Sequence, residues 1–291
     1  MITICEVGPR DGIQNVKKLL LLEEKLELIN RLIDSGIELI EAVSFVNPKV
    51  IPQMADTEEL MKLVPRTETV KYAGLVLSQS GLNRALEANV DFLHVVLATS
   101  DTFNQKNVKR SVKESITELT PVIKGGTESG KVVNGVLGTA FGCPFDGNIP
   151  ERKILKTAEE FLNAGAKKIT LADTTGLADP GQVQSISKAF YKQFGKEVEL
   201  GLHFHNTRGL GIANVLAGYQ EGVRQFDTSI GGLGGCPFAP KAAGNVCTED
   251  VVNMFEQMGE EIGINKGKLI DTSKWLEDVV GLKVDGMLMK T

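Results

Sequence analysis

His203 and His205 stand one residue apart in "HFH", inside a run that reads as a β-strand. Side chains at positions i and i+2 of a strand share a face, so both imidazoles point the same way. Alone, such a pair is either two core histidines bonded to their neighbours or two nitrogen ligands. Asp11 and Asn245 favour the second reading. A carboxylate, an amide oxygen and two imidazoles make a mixed nitrogen–oxygen set with room for water or substrate. That set suits Mg²⁺, Mn²⁺ or a similar divalent ion better than structural zinc, which favours thiolates. Arg10 precedes Asp11 in "EVGPRDGIQN", braced by Pro9 and Gly12. It either pairs with Asp11 or holds a carboxylate or a developing enolate oxygen. Glu41 is read as the carboxylate that orients Arg10. Asp173 closes "KKITLAD" and is either a buried acceptor or a group that orients or deprotonates a hydroxyl.

The stretch "GGLGGCPFAPKAAGN" runs from Gly231 to Asn245 and holds five glycines, two prolines, one cysteine and no acid. It is too flexible for a helix interior and too kinked for a strand. Cys236 at its centre is either a small residue filling a tight loop or an acid–base thiol on a lid that closes over the cation site.

These residues need elements that bring them together. Short β-branched runs alternate with longer amphipathic ones along the whole chain. The strands are "ITICEV", "IELIEAVSF", "VKYAGLVL", "DFLHVVLAT", "KVVNGVLGTAF", "KKITLAD", "EVELGLHFH" and "QFDTSIGG". Helices follow each in turn, one of them opening on Ser111 with Glu114 in a capping-box pattern. Eight β-α units in 291 residues predict a single domain, a closed (β/α)8 barrel over about residues 2–260 with a helical segment over 261–291. A doubly wound sheet is the rival, but "EVGPRDG" is not its glycine-rich dinucleotide turn. In a barrel the proposed residues fall at the C-terminal ends of the strands, where barrel enzymes keep their sites.

A formal net charge of −5 and a pI near 5.4 leave no nucleic-acid footprint. No run of Lys or Arg marks a membrane surface, and the apolar stretches are far short of a membrane span. Cys5, Cys143, Cys236 and Cys247 form no C-x-x-C pair. With no signal peptide in "MITICEVGPRDG", reduced thiols and a cytoplasmic location are expected.

Three long stretches, "EVGPRDGIQN", "IEAVSFVNPKVIPQMAD" and "GGLGGCPFAPKAAGNVCTED", resemble the signatures of 3-hydroxy-3-methylglutaryl-CoA lyases, within the wider DRE-TIM metallolyase group. The resemblance covers roughly residues 2–280. It implies Asp11, His203, His205 and Asn245 as metal ligands and Mg²⁺ or Mn²⁺ as the only cofactor. Arg10 would stabilise the enolate, Cys236 protonate it, Asp173 assist proton transfer from the tertiary hydroxyl, and Glu41 support the site. Gln14, Ser44 and Lys17 are the expected substrate contacts, with a solvated surface lysine as the alternative for Lys17. Arg208, Lys49 and the 106–109 segment are candidates for the CoA phosphates. The implied reaction is a retro-Claisen cleavage of an acyl-CoA to acetoacetate and acetyl-CoA, carried out by a homodimer. The sequence departs from the family at Ala172, Asn206, Phe145, Phe238 and Lys241, all expected near the substrate pocket. The rivals are a citramalyl-CoA-type lyase, a Claisen-type synthase or aldolase of the same group, and a non-catalytic barrel with a vestigial site.

Overall fold

Eight parallel strands close into a barrel in sequence order: β1 (Thr3–Glu6), β2 (Leu39–Ser44), β3 (Lys71–Val76), β4 (Phe92–Ala98), β5 (Val132–Gly138), β6 (Lys168–Asp173), β7 (Glu199–Phe204) and β8 (Gln225–Thr228). The computed structural model describes residues 1–235 and 244–291. Because helices cover the outside and side chains fill the inside, the strands are apolar on both faces, and β2 is buried along its whole length. The helices are α1 (Leu22–Asp34), α2 (Thr57–Leu63), α3 (Gln79–Glu87), α4 (Asp101–Val108), α5 (Val112–Glu128), α6 (Glu151–Ala164), α7 (Pro180–Phe194), α8 (Gly211–Gln220), α9 (Thr248–Gln257) and α10 (Lys266–Val280).

Local chemistry sets several ends. The Ser111 hydroxyl accepts from the Glu114 amide while the Glu114 carboxylate accepts from the Ser111 amide, the reciprocal cap expected for α5. Gly165 ends α6 with a φ of 115°, which a residue with a side chain would resist. Leu28, Ile29 and Leu32 of α1 lie on one face and are fully buried. Each contributes about 1.5–3 kcal/mol relative to an exposed position.

Strand register decides which residues enter the lumen, because paired residues of parallel neighbours share a face. Cys5 pairs with Leu39 and Asp227, and Asp227 with His203. His203 pairs in turn with Ala172, and His94 with Leu75 and Asn134. A register shift between Glu41 and Val43 interrupts β2 where it approaches the site. Cys5, Val7 and Leu39, backed by Phe92, form a small apolar plug separate from the main core. The main core lies between barrel and helices.

Two features differ from the sequence-based expectation. Helix α4 sits between β4 and α5, where no element was expected. It is short and almost wholly polar, and starts because the Ser100 hydroxyl accepts from the Phe103 amide. The segment after residue 260 holds α10 and a single 3-10 turn at Leu288–Lys290 rather than helix throughout; α10 packs on α1.

Candidate active site

The chain leaves β1 through a tight turn, Gly8–Gly12, in which the Val7 carbonyl accepts from the amides of Arg10, Asp11 and Gly12. That turn fixes the two side chains at the barrel mouth. The Arg10 Nε donates to Glu41 Oε2 at 2.7 Å, and its Nη2 also contacts that oxygen. Nη1 donates to Asp11 Oδ1 at 2.6 Å. These contacts use three of the five N–H donors of a guanidinium, leaving two for the cavity that Arg10 lines. Glu41 is 1% exposed, and its other oxygen lies 2.8 Å from His94 Nδ1. Burial pushes the Glu41 carboxyl up, but Arg10 and His94 outweigh it and hold it below the usual range. Glu41 thus contacts Arg10 through both Nε and Nη2, the geometry an orienting role requires. Burial likewise raises Asp11, yet Arg10, His203 and His205 hold it well below the ordinary carboxylate range.

His203 and His205 share the lumen face of β7 and its extension, with their Nε2 atoms 3.3 Å apart. Ligand atoms of Asp11, His203 and His205 all lie within 4.8 Å of one another. Asn245 arrives from the far end of the glycine stretch. It bridges to His205 as an isolated β-pair, with the Val246 amide donating to the Phe204 carbonyl. Its Nδ2 donates to Asp11 Oδ2 at 2.8 Å and to the Leu233 carbonyl at 3.0 Å. Among the described residues, its buried Oδ1 has no hydrogen-bond partner. A buried bare acceptor beside a carboxylate and two imidazoles is what a divalent cation would satisfy, so the residues fit the expected ion. The four expected ligands are thus brought together.

Glycines permit the approach of Asn245. A Cβ on Gly244 would overlap the Gly232 carbonyl oxygen, and one on Gly234 the Asn245 amide. Gly244→Ala is expected to displace Asn245 and weaken Mn²⁺ binding about tenfold or more, the scale of a disturbed ligand support. Calorimetric Mn²⁺ titration checks it, and unchanged affinity would show that Asn245 does not depend on that approach.

Other expected positions land elsewhere. Asp173 pairs with Phe204, not with His203, so its side chain leaves β6 on the helix side. Both its oxygens are taken, accepting from the amides of Leu177 at 2.7 Å and Ala178 at 3.1 Å. Burial pushes its pKa to about 6. It is the buried acceptor that shapes the β6–α7 loop, and proton transfer is not assigned to it. Glu6 also faces outward, accepting from Gly8, Ile230 and Thr248 and pinning the two loops that carry Asp11 and Asn245. Gln14 lines the cavity. Ser44 pairs with the cavity-lining Leu75 and keeps a buried, unpartnered hydroxyl, but it stops short of the cavity wall. Lys17 is exposed and is not among the described residues that line the cavity. Arg208 Nη1 donates to the Gly176 carbonyl, and Lys49 is exposed. Cys236, Phe238 and Lys241 lie outside the described residues. Of the remaining departures, Asn206 Oδ1 accepts from the Gly211 amide where α8 begins, Ala172 pairs with His203 across β6 and β7, and Phe145 sits tilted beside the cavity-lining Phe103.

The cavity encloses about 210 Å³. Arg10, Asp11, Gln14 and His205 form one end; Leu75, Val96 and Phe103 supply an apolar wall. Asn104 and Asn107 of α4 also line it. His94 and Asp227 are site residues that sequence reasoning passed over; His94 is a lone polar residue on the lumen face of β4, and Asp227 shares the lumen face of the short β8 with Gln225.

A family model described as HMGL-like matches residues 1–276. The chain belongs to the HMGL-like family. It is 39% identical over 280 residues to a hydroxymethylglutaryl-CoA lyase of Bacillus subtilis, spanning 96% of this chain and 93% of the relative. It is 38% identical to an (R)-citramalyl-CoA lyase of Chloroflexus aurantiacus, spanning 99% and 94%. The solved structure of an HMG-CoA lyase from Acinetobacter baumannii, in complex with coenzyme A and 3-methylmalate, superposes with a TM-score of 0.95 at 43% identity. That match covers 100% of this chain and 95% of the other. The HMGL-like family and these relatives make the chain a carbon–carbon lyase on a TIM barrel.

Proposed function

We propose that this chain is a divalent-metal-dependent lyase that cleaves 3-hydroxy-3-methylglutaryl-CoA to acetoacetate and acetyl-CoA. The observation that carries it is the bare Asn245 oxygen among Asp11, His203 and His205, set beside the Arg10 fork at the end of a cavity. Asp11, His203, His205 and Asn245 would hold the ion. Bound Mg²⁺ or Mn²⁺ supplies Lewis-acid polarisation and a template for the substrate's oxygens. The substrate hydroxyl gives its proton to water at the open end of the cavity, its oxygen forms the new ketone, and the C–C electron pair passes to the thioester as an enolate, so that one proton leaves oxygen and one is returned to carbon. Arg10 faces that developing charge with its two remaining N–H donors, already held in place by Glu41 and therefore costing no reorganisation. The lumen beneath is plugged by Cys5, Val7 and Leu39, which keeps water from below.

Cys236 is the proposed acid that returns a proton to the enolate carbon. Cys236→Ala is expected to retain its metal and lose roughly a hundredfold or more in turnover; parallel loss of metal would assign Cys236 to the ligand set instead. The acyl-CoA partner, a homodimeric assembly and a cytoplasmic location complete the proposal. The location draws on the free thiols Cys5, Cys143 and Cys247. No described helix is long and apolar enough to cross a membrane.

A second reading, the same chemistry on citramalyl-CoA, is favoured by the Chloroflexus relative. Comparing kcat/KM on the two thioesters decides between them. A ratio above about tenfold for the hydroxymethylglutaryl substrate is expected, and the reverse ratio overturns the substrate assignment while keeping the reaction class. A vestigial site predicts cleavage of neither.

A further inference from the structure

Asp227 is a buried carboxylate to which the proposed chemistry gives no task. It sits on β8 with its side chain in the lumen, level with Cys5 on one side and His203 on the other. It is 4% exposed. Its Oδ2 lies 3.3 Å from His203 Nδ1, and its buried Oδ1 has no hydrogen-bond partner among the described residues. Among the described residues, its ion-pair partner is His203. A carboxylate buried with one bare oxygen opposes folding, so packing alone is a poor reason for it to be there.

The chemistry of the imidazole pair supplies a reason. A neutral histidine carries one N–H and one lone pair. The Nε2 atoms of His203 and His205 face each other at 3.3 Å. If His203 carried its hydrogen on Nε2, it could donate to His205, and the two rings would satisfy each other with no lone pair left for an ion. An acceptor at Nδ1 removes that option, because Nδ1–H donation leaves Nε2 bare.

The geometry points to Asp227 as the positioning residue of the cation site, resting on the ligand set proposed above. It holds the His203 ring and selects the tautomer whose Nε2 lone pair faces Asp11, His205 and Asn245. Its charge also adds attraction for a cation in a lumen where the neighbouring plug is apolar. Asp227 touches no substrate in this role; it acts through His203.

Mn²⁺ titration of the metal-free protein by calorimetry tests this, with the melting temperature of each metal-free form measured alongside. Asp227→Asn keeps the shape but loses the charge, and its amide can donate as readily as accept. Asp227→Leu removes the acceptor. Asn is expected to weaken Mn²⁺ about tenfold and Leu about a hundredfold, with neither melting below the wild type. Ring-nitrogen NMR of the metal-free forms should show His203 protonated on Nδ1 in the wild type and on Nε2 in the Leu variant. Affinities within twofold of wild type overturn the assignment. So does a melting temperature that falls in step with affinity, the mark of a packing role. Wild-type protein that binds no Mn²⁺ overturns the ligand set itself; tight wild-type binding with unaltered variants overturns the role of Asp227 alone.

Discussion

Arg10→Gln is expected to keep its divalent ion and lose about a hundred- to thousandfold in kcat, or about 3–4 kcal/mol of transition-state stabilisation, the scale of a removed oxyanion donor. Arg10 lines the cavity, and among the described residues its side-chain contacts go to Glu41 and Asp11, which use three of its five N–H donors. Glutamine retains polarity but neither the charge nor the fork. Glu41 keeps His94 as a partner in the variant, so the lumen does not strand an unpaired carboxylate. Arg10→Lys separates charge from geometry: it restores the cation without planar two-point contact and should recover only part of the rate. Metal content and kcat measured on the same preparations check this. A KM effect with unchanged kcat would make Arg10 a substrate anchor rather than an enolate stabiliser.

Asp11→Ala is expected to have the larger effect, roughly 10⁴-fold or more in turnover, with Mn²⁺ binding reduced beyond measurement. One substitution removes a cation ligand, the partner of Arg10 Nη1 and the acceptor that holds the Asn245 amide. The side chain sits at the barrel mouth rather than in the packed core, so the fold should persist. Circular dichroism and metal titration of the variant are the checks. A variant that retains stoichiometric metal would move the ion away from Asp11, and full activity would remove Asp11 from the site.

The site was legible where chemistry sits at strand ends with the right period. His203 and His205 share a face because they are two apart, and Arg10 and Asp11 follow β1 in a turn shaped by Pro9 and Gly12. Of the two readings of Asp173, the geometry favours the buried acceptor, and the choice depends on register: Ala172, not Asp173, pairs with His203. No single strand carries that information. His94 and Asp227 were passed over because a polar residue on a buried strand looks alike whether it fills a core or steadies a ligand; only the distances to Glu41 and His203 separate the cases. Helix α4 was missed because it is short and polar, with no apolar stripe to announce it, yet it brings Phe103, Asn104 and Asn107 to the cavity. Barrel closure was legible from the count of β-α units, since eight strands fit a packed lumen.

Acetyl-CoA release from 3-hydroxy-3-methylglutaryl-CoA, measured with added Mg²⁺ or Mn²⁺ and again with EDTA, tests the central claim most directly. Robust release that EDTA abolishes and added metal restores is the predicted result. Release that persists unchanged in EDTA would contradict the metal site built from Asp11, His203, His205 and Asn245. No release with metal bound would contradict the substrate assignment.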